Sequence, residues 1–211
     1  MLIQVEQGTD EWFEVRKGRL TASVAASAAG LEGAYKSRPA CWREYMGEET
    51  TLTEGLMWAM EYGNEYEEVA RDSGERTLGV LSYHVGVHVS DDYDWLCSST
   101  DGVLDKMGLH EIKCRATQPY EAISPQHMAQ IQVQLECAGY GRCYFQSWTP
   151  DQQRIWLVER SKDYFEWLLP HLQEFWGYVC RKEEPPRLSK KRRYPQDIPY
   201  NVIYEGDSHG I

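Results

Sequence analysis

Residues 98–116 read SSTDGVLDKMGLHEIKCRA. An acid, Asp101, stands directly before a glycine, and the triplet Glu111-Ile112-Lys113 follows in a stretch whose other residues suit a buried strand. Side chains two apart on a strand share a face, so Glu111 and Lys113 emerge together while Ile112 points away. Working outward, TLGVLSYHVGVHVS (77–90), DWLCSSTDGVLD (94–105) and GLHEIKC (108–114) are rich in β-branched and aromatic residues and broken by Gly and Asp. They predict adjacent antiparallel strands.

Helical segments flank this block. TEGLMWAMEYGNEYEEVARDSG (53–74) reads as one long helix with Leu56, Met60, Gly63 and Glu67 on a single stripe, which predicts that the stripe turns inward and carries Glu67 with it. SPQHMAQIQVQLECAGYG (124–141) has Ser124 as cap, Pro125 at the first helical position and Gly139 as stop. Its apolar face is Met128, Ile131, Leu135 and Ala138, with His127, Gln130 and Gln134 beside it. TDEWFEVRKGRLTAS (9–23) predicts a short helix broken near Gly18, then a second, alanine-rich helix started by Thr21 or Ser23. CYFQSW and RIWLVER are two further strands joined by TPDQQ, and Ser161 caps an aromatic helix that Pro170 is expected to kink. From Glu183 onward the chain turns proline-rich and basic, so we divide it into one domain, 1–182, and a tail, 183–211, that wraps or docks.

Composition narrows the class. The chain has 211 residues, with 22 basic and 33 acidic side chains for a net charge of −11. That excludes a protein that coats nucleic acid by bulk attraction but permits a local basic channel, for which RKGR (16–19) and KKRR (190–193) are candidates. Much of the acid falls in segments such as GEET (47–50) and NEYEE (64–68). No apolar run reaches membrane-spanning length and the N-terminus lacks a secretion pattern, so a soluble, intracellular protein is expected. Six cysteines without a CxxC pair read as reduced thiols, since the Cys137 to Cys143 spacing is not that of a zinc ribbon or finger.

Asp101 and Glu111, with the carbonyl of Ile112 between the two acidic strands' ends, offer hard oxygen ligands of the kind Mg2+ or Mn2+ prefers. Such an ion activates water for phosphodiester hydrolysis. Lys113 beside it is expected to be partly desolvated, with a lowered pKa, and to orient or deprotonate the attacking water. Taken alone, the D…ExK pattern is common, and an ion pair on a solvated strand with Asp101 as a turn residue before Gly102 is the better account of it.

Four blocks in order change that weighting. VEQGTDEWFEVRKGRLTAS (5–23), YGNEYEEVAR (62–71), SSTDG with HEIKC (98–102, 110–114) and HMAQIQ (127–132) together resemble the lambda-exonuclease-type alkaline exonucleases of phage and prophage, within the PD-(D/E)xK nucleases. Thr100 stands where that pattern usually has proline.

The resemblance implies an α/β fold with a restriction-endonuclease-like core, a mixed central sheet flanked by helices. It implies that Asp101 and Glu111 bind metal, that Lys113 activates water and that Glu67 helps place a second metal or a water. It gives a 5′-phosphate pocket to Arg16, Ser23, Ser99 and Gln130, with Ser23 also bringing the positive end of a helix. Met60 matches a position where the family places an apolar wedge at the duplex end, although core packing suits a methionine at that spacing as well.

The implied activity is digestion of linear double-stranded DNA from the 5′ end, releasing 5′-mononucleotides and leaving a 3′ overhang. Implied partners are a homotrimeric ring of this chain around the DNA and a single-strand annealing protein of a phage recombination system, with no membrane, in the cytoplasm of a bacterial host. Two other classes fit the same motif: a sequence-specific endonuclease, which would cut closed circles, and a non-catalytic DNA-end-binding module.

Overall fold

The structure, a computed structural model, describes residues 1–48 and 53–209. The GEET segment therefore lies partly outside the described residues. Two sheets carry the strands. A four-stranded sheet has the order β1 (Leu2–Ile3), β4 (Val87–Val89), β5 (Leu96–Ser99), β2 (Leu20–Thr21). A six-stranded sheet has the order β10 (Tyr200–Asp207), β9 (Gln152–Glu159), β8 (Arg142–Trp148), β7 (Gly108–Cys114), β6 (Gly102–Leu104), β3 (Ser82–Tyr83). Within the second sheet only β7 and β8 run parallel, so it is mixed. The three strand-like stretches of residues 77–114 are thus divided between two sheets instead of forming one meander. The chain crosses from one sheet to the other at Thr100–Asp101, between β5 and β6.

Parallel strands require a crossover. Here it is helix α5 (Pro125–Ala138), capped by the Ser124 side chain on the His127 N–H and ended by Gly139 at φ 71°, a left-handed value that suits glycine. Helix α4 (Glu54–Leu78) is the long helix expected, capped by Thr53, and it packs against β7. Helices α1 (Asp10–Arg16), α2 (Ala25–Ala29), α3 (Arg38–Tyr45) and α6 (Lys162–Arg181) complete the set. Helix α6 runs through Pro170 without ending. The core lies where α2, α5 and α6 meet β8 and β9, around Ile131, Leu135, Phe145, Trp156, Leu168 and Phe175. Every residue of α2 is buried, and its alanines let α5 and α6 approach closely.

Two local expectations are corrected. A single 3-10 turn, Ala22–Val24, precedes α2, so exposed Ser23 sits within that turn and does not cap a helix. The stripe at Leu56 and Met60 is not core: both side chains are exposed, at 43% and 53%. The tail adds β10 to the edge of the six-stranded sheet. All six cysteines are free, and among the described residues no helix is long and apolar enough to cross a membrane.

Candidate active site

The site forms at the joint between the sheets. β6 pairs with β7 from Leu104↔Gly108 to Gly102↔His110 and then stops. Two residues further along β7, the Ile112 N–H has no strand partner on that edge and donates instead to Asp101 Oδ2 at 2.6 Å. A strand residue's N–H and C=O lie on the same edge, so the Ile112 carbonyl also faces the Asp101 side. The acid that precedes the glycine acts as the continuation of β6, with a carboxylate in place of a backbone group.

Glu111 is 1% exposed and would be costly to bury without partners. It has three. Oε1 accepts from Lys113 Nζ at 2.5 Å and from Gln130 Nε2 at 2.6 Å, and Oε2 accepts from Gln134 Nε2 at 2.6 Å. Gln130 and Gln134 are one helical turn apart on α5 and so reach down together. Gln134 Nε2 also donates to the Ser99 carbonyl at 3.0 Å, tying Glu111 to the end of β5.

Glu67 comes from the facing side, on α4. Its neighbours Glu65 and Glu68 are exposed, whereas Glu67 is half-buried and lines the same cleft as Asp101 and Lys113. Arg71, one turn later and 3% exposed, holds it at 3.3 Å. The same guanidinium donates to Ser82 Oγ at 3.1 Å. From there a buried chain continues through His110 (Nδ1 to Ser82 Oγ, 3.0 Å; Nε2 to Gln146 Oε1, 2.8 Å) and on from Gln146 to Gln153. Gly102 is what admits it: a Cβ there would lie 2.2 Å from Ser82 Oγ and 2.7 Å from Arg71 Nη1.

Electrostatics follow from this crowding. Burial, then the Glu111 and Glu67 charges, push the Asp101 carboxyl well above its ordinary pKa against the opposing pull of Lys113 and the Ile112 N–H. Burial also raises Glu67, with Arg71 opposing and Glu111 adding to it. For Lys113 burial works downward, but Glu111 and Asp101 outweigh it and the pKa stands above the usual lysine value. The lowered pKa expected from sequence is therefore corrected: two carboxylates within reach hold Lys113 as an ammonium.

The donor set fits a hard divalent cation. Asp101 and Glu111 offer carboxylate oxygens on the side of the Ile112 carbonyl, and the Glu111 charge helps to raise the Asp101 pKa, a strain that an added positive charge would relieve. No group of three His, Cys, Asp or Glu side chains among the described residues converges to hold an ion unaided. Two carboxylates and a carbonyl, completed by water or substrate, are what this chain offers.

The four residues expected around a phosphate divide. Arg16 stacks over the Trp12 ring at 3.6 Å, and Trp12 Nε1 donates to Ser99 Oγ at 3.1 Å, so Arg16 and Ser99 sit on two sides of one indole. Ser23 and Ser99 each lie two residues beyond the paired Thr21↔Cys97 of β2 and β5, which sets them on neighbouring chain segments. Gln130 lines the same cleft as Ser23, with its amide nitrogen committed to Glu111.

A cleft of about 860 Å3 opens over the site, with Met60 and Trp58 on the α4 side and Tyr35 and His127 on the other. Sequence reasoning missed Arg71, Gln134 and Tyr35. The HMAQIQVQ spacing held the signal for Gln134, which shares a helix face with Gln130. Arg71 had none beyond its place one turn after Glu67, and Tyr35, from a loop, bonds His127 Nε2 at 2.9 Å with nothing in the sequence to announce it.

Residues 11–141, which contain every acid of this site, match the YqaJ-like viral recombinase domain. The chain belongs to that family. Among solved structures it is similar to an alkaline exonuclease, LHK-Exo, from Laribacter hongkongensis, with 26% identity and a TM-score of 0.69 over 82% of this chain and 94% of that one. LHK-Exo in complex with dAMP matches in the same way, at 24% identity and a TM-score of 0.68. No curated protein matches the sequence significantly. The fold of this YqaJ-like chain is thus that of an alkaline exonuclease of the lambda-exonuclease type, with a PD-(D/E)xK-like core.

Proposed function

We propose that this YqaJ-like protein is a Mg2+-dependent exonuclease that degrades linear double-stranded DNA from the 5′ end, releases 5′-mononucleotides and leaves a 3′ overhang for recombination. The observation that carries the reading is the convergence of Asp101, Lys113 and Glu67 on one cleft, with buried Glu111 directly behind and bonded to Lys113. The family and the likeness to LHK-Exo support nuclease chemistry, and dAMP, a mononucleotide, is the ligand in the LHK-Exo complex.

Asp101, Glu111 and the Ile112 carbonyl would hold the cation, which supplies Lewis-acid polarisation of the phosphate and a more acidic water. Gln130 and Gln134 fix the Glu111 carboxylate so that its oxygens do not swing with substrate. Lys113 donates: its ammonium orients the attacking water and offsets charge gathering on the phosphate oxygens. Arg71 holds Glu67 toward the same space. Arg16 with Ser99 and Ser23 grips a 5′-terminal phosphate, and a held end sets the next linkage at the metal site, which favours ends over internal positions. A homotrimeric ring and an annealing-protein partner belong to the same reading, in a bacterial cytoplasm.

Linear duplexes labelled at the 5′ or the 3′ end, with Mg2+ and with chelator, test it. Early release of 5′ label as mononucleotide, only with the ion, is expected. First release of 3′ label, cutting of closed circles, or an Asp101→Asn protein of undiminished rate would each overturn it. Arg16→Ala should erase the preference for 5′-phosphoryl over 5′-hydroxyl ends.

A further inference from the structure

The basic run KKRR is not part of the site described above, and the structure shows where it sits. The tail is docked. Leu188 lies against Gly30, where a Cβ would meet Leu188 Cδ1 at 2.5 Å. Arg192 N–H donates to the Gly30 carbonyl at 3.0 Å and the Arg192 carbonyl accepts from Glu32 N–H at 2.9 Å. Its guanidinium reaches the Ala29 carbonyl at 2.8 Å and Glu174 at 2.7 Å. Arg192 is thus the anchor of the run, neutralised by Glu174.

The flanking cations are different. Arg187, Lys190, Lys191 and Arg193 are all exposed, and none has a carboxylate partner among the described residues. No acid occurs between Pro185 and Gln196. Arginines elsewhere are largely committed: Arg43, Arg71, Arg154, Arg160 and Arg181 each pair with a glutamate. In a chain of net charge −11, unpaired positive charge is concentrated on one fixed segment. Glu32 and Asp197 line the groove of about 630 Å3 under the tail, too few to cancel it.

That segment lies close to the cleft. Leu31 bridges Arg192, and Tyr35 and Lys36, a few residues on, line the cleft. Four residues span at most about 14 Å, or about four base-pair steps at roughly 3.4 Å each. Between them Gly33 faces Pro125, where a Cβ would lie 3.6 Å from the proline ring, and the next residues, Gln126 and His127, are cleft wall.

We propose that the docked tail, through Lys190, Lys191 and Arg193, is a contact surface for the phosphate backbone of the duplex whose end occupies the cleft. The proposal rests on the nuclease reading and extends the substrate contact beyond the metal and end-phosphate sites. Exposed, unpaired and held on a rigid anchor, these side chains give up no existing ion pair when they meet phosphate, so each contact releases counterions from the DNA.

The test is the salt dependence of binding. Affinity of the full chain for a blunt, 5′-phosphorylated duplex is measured with chelator present, so that the DNA stays intact, over a range of NaCl concentrations. The triple variant Lys190→Gln, Lys191→Gln, Arg193→Gln should have a log K against log [salt] slope shallower by up to about 2.7, at about 0.9 per lost phosphate contact. A control variant, Lys106→Gln with Arg142→Gln, alters exposed cations elsewhere and should leave the slope unchanged. An unchanged slope in the triple variant, or an equal change in the control, overturns the tail contact while leaving the nuclease reading in place. Wild-type protein that binds no duplex at all brings down the nuclease reading itself.

Discussion

Gln134→Leu tests the site's architecture most directly. Gln134 Nε2 is the sole donor to Glu111 Oε2 among the described residues and also bonds the Ser99 carbonyl. Losing a hydrogen bond to a buried carboxylate costs about 1.5–3 kcal/mol, and losing the neutral one about 1 kcal/mol. Against this, Gln134 Oε1 is itself buried without a partner, so an apolar replacement of similar length recovers about 1 kcal/mol. The net expectation is a loss of about 1.5–3 kcal/mol, or a fall in Tm of about 3–12 °C for a domain of this size. Gln130→Leu serves as the internal comparison. Its partner, Glu111 Oε1, keeps Lys113 Nζ at 2.5 Å, so the cost is about 1 kcal/mol and the fall about 2–4 °C. Thermal denaturation followed by circular dichroism, at neutral pH with chelator so that no cation replaces a lost donor, reads both. The order is the decisive result: a Gln130→Leu protein that melts at or below Gln134→Leu would refute the assignment of Glu111 Oε2 to Gln134.

Gly102→Ala should cost about 1–3 kcal/mol as overpacking, seen as a lower urea midpoint, because a Cβ has no room beside Ser82 and Arg71; a midpoint equal to wild type contradicts the packing. Arg71→Met should lower turnover on linear duplex at least tenfold by releasing Glu67, whereas full activity would show that Glu67 needs no support. For pH, burial holds the His127 pKa down to about 3, with cationic Lys113 and Arg115 adding to the effect and Tyr35 as its hydrogen-bond partner. A histidine lowered in the folded state makes the unfolded chain take up the extra proton below its own pKa near 6.5, so stability falls as pH drops from there toward 3, by about 2 kcal/mol at pH 5. His127→Gln removes that slope: the stability difference between wild type and variant should narrow by about 2 kcal/mol from pH 8 to pH 5, and a constant difference in urea titrations refutes it.

Much of this was legible because local rules acted alone. Ser124 and Ser161 cap the helices whose starts they mark, and Gly139 stops α5. Asp101 before Gly102 and the Glu111–Lys113 pair were visible as spacing, and the structure joins them. Misreadings came where tertiary context decided. Leu56 and Met60 have the periodicity of a core stripe, but that half of α4 extends past the sheet and the stripe faces the cleft. Lys113 was expected to titrate low from desolvation beside a cation, and the sequence, which set Glu111 and Asp101 near it, does not reveal that their charges outweigh burial. Arg71 was invisible because its partners, Ser82 and Glu67, lie on a different strand and an earlier helical turn.

The position of the break between the two sheets explains why the acids converge. Had residues 94–105 formed one continuous strand, Asp101 would have occupied an ordinary ladder position with its side chain on one face. Instead β5 ends at Ser99 in the four-stranded sheet and β6 begins at Gly102 in the six-stranded one. The interruption turns Asp101 along the edge of β7, where its carboxylate takes the Ile112 N–H that a longer β6 would have paired. Gly102 then has to be bare, because Arg71 and Ser82 press on it from the α4 side. The same interruption leaves the Ser99 carbonyl to Gln134, whose other bond fixes Glu111. Asp101 is therefore held from β7 and Glu111 from α5, and the proposed cation site needs both sheets, α4 and α5 in place, so that losses of stability at this joint and losses of activity should appear together.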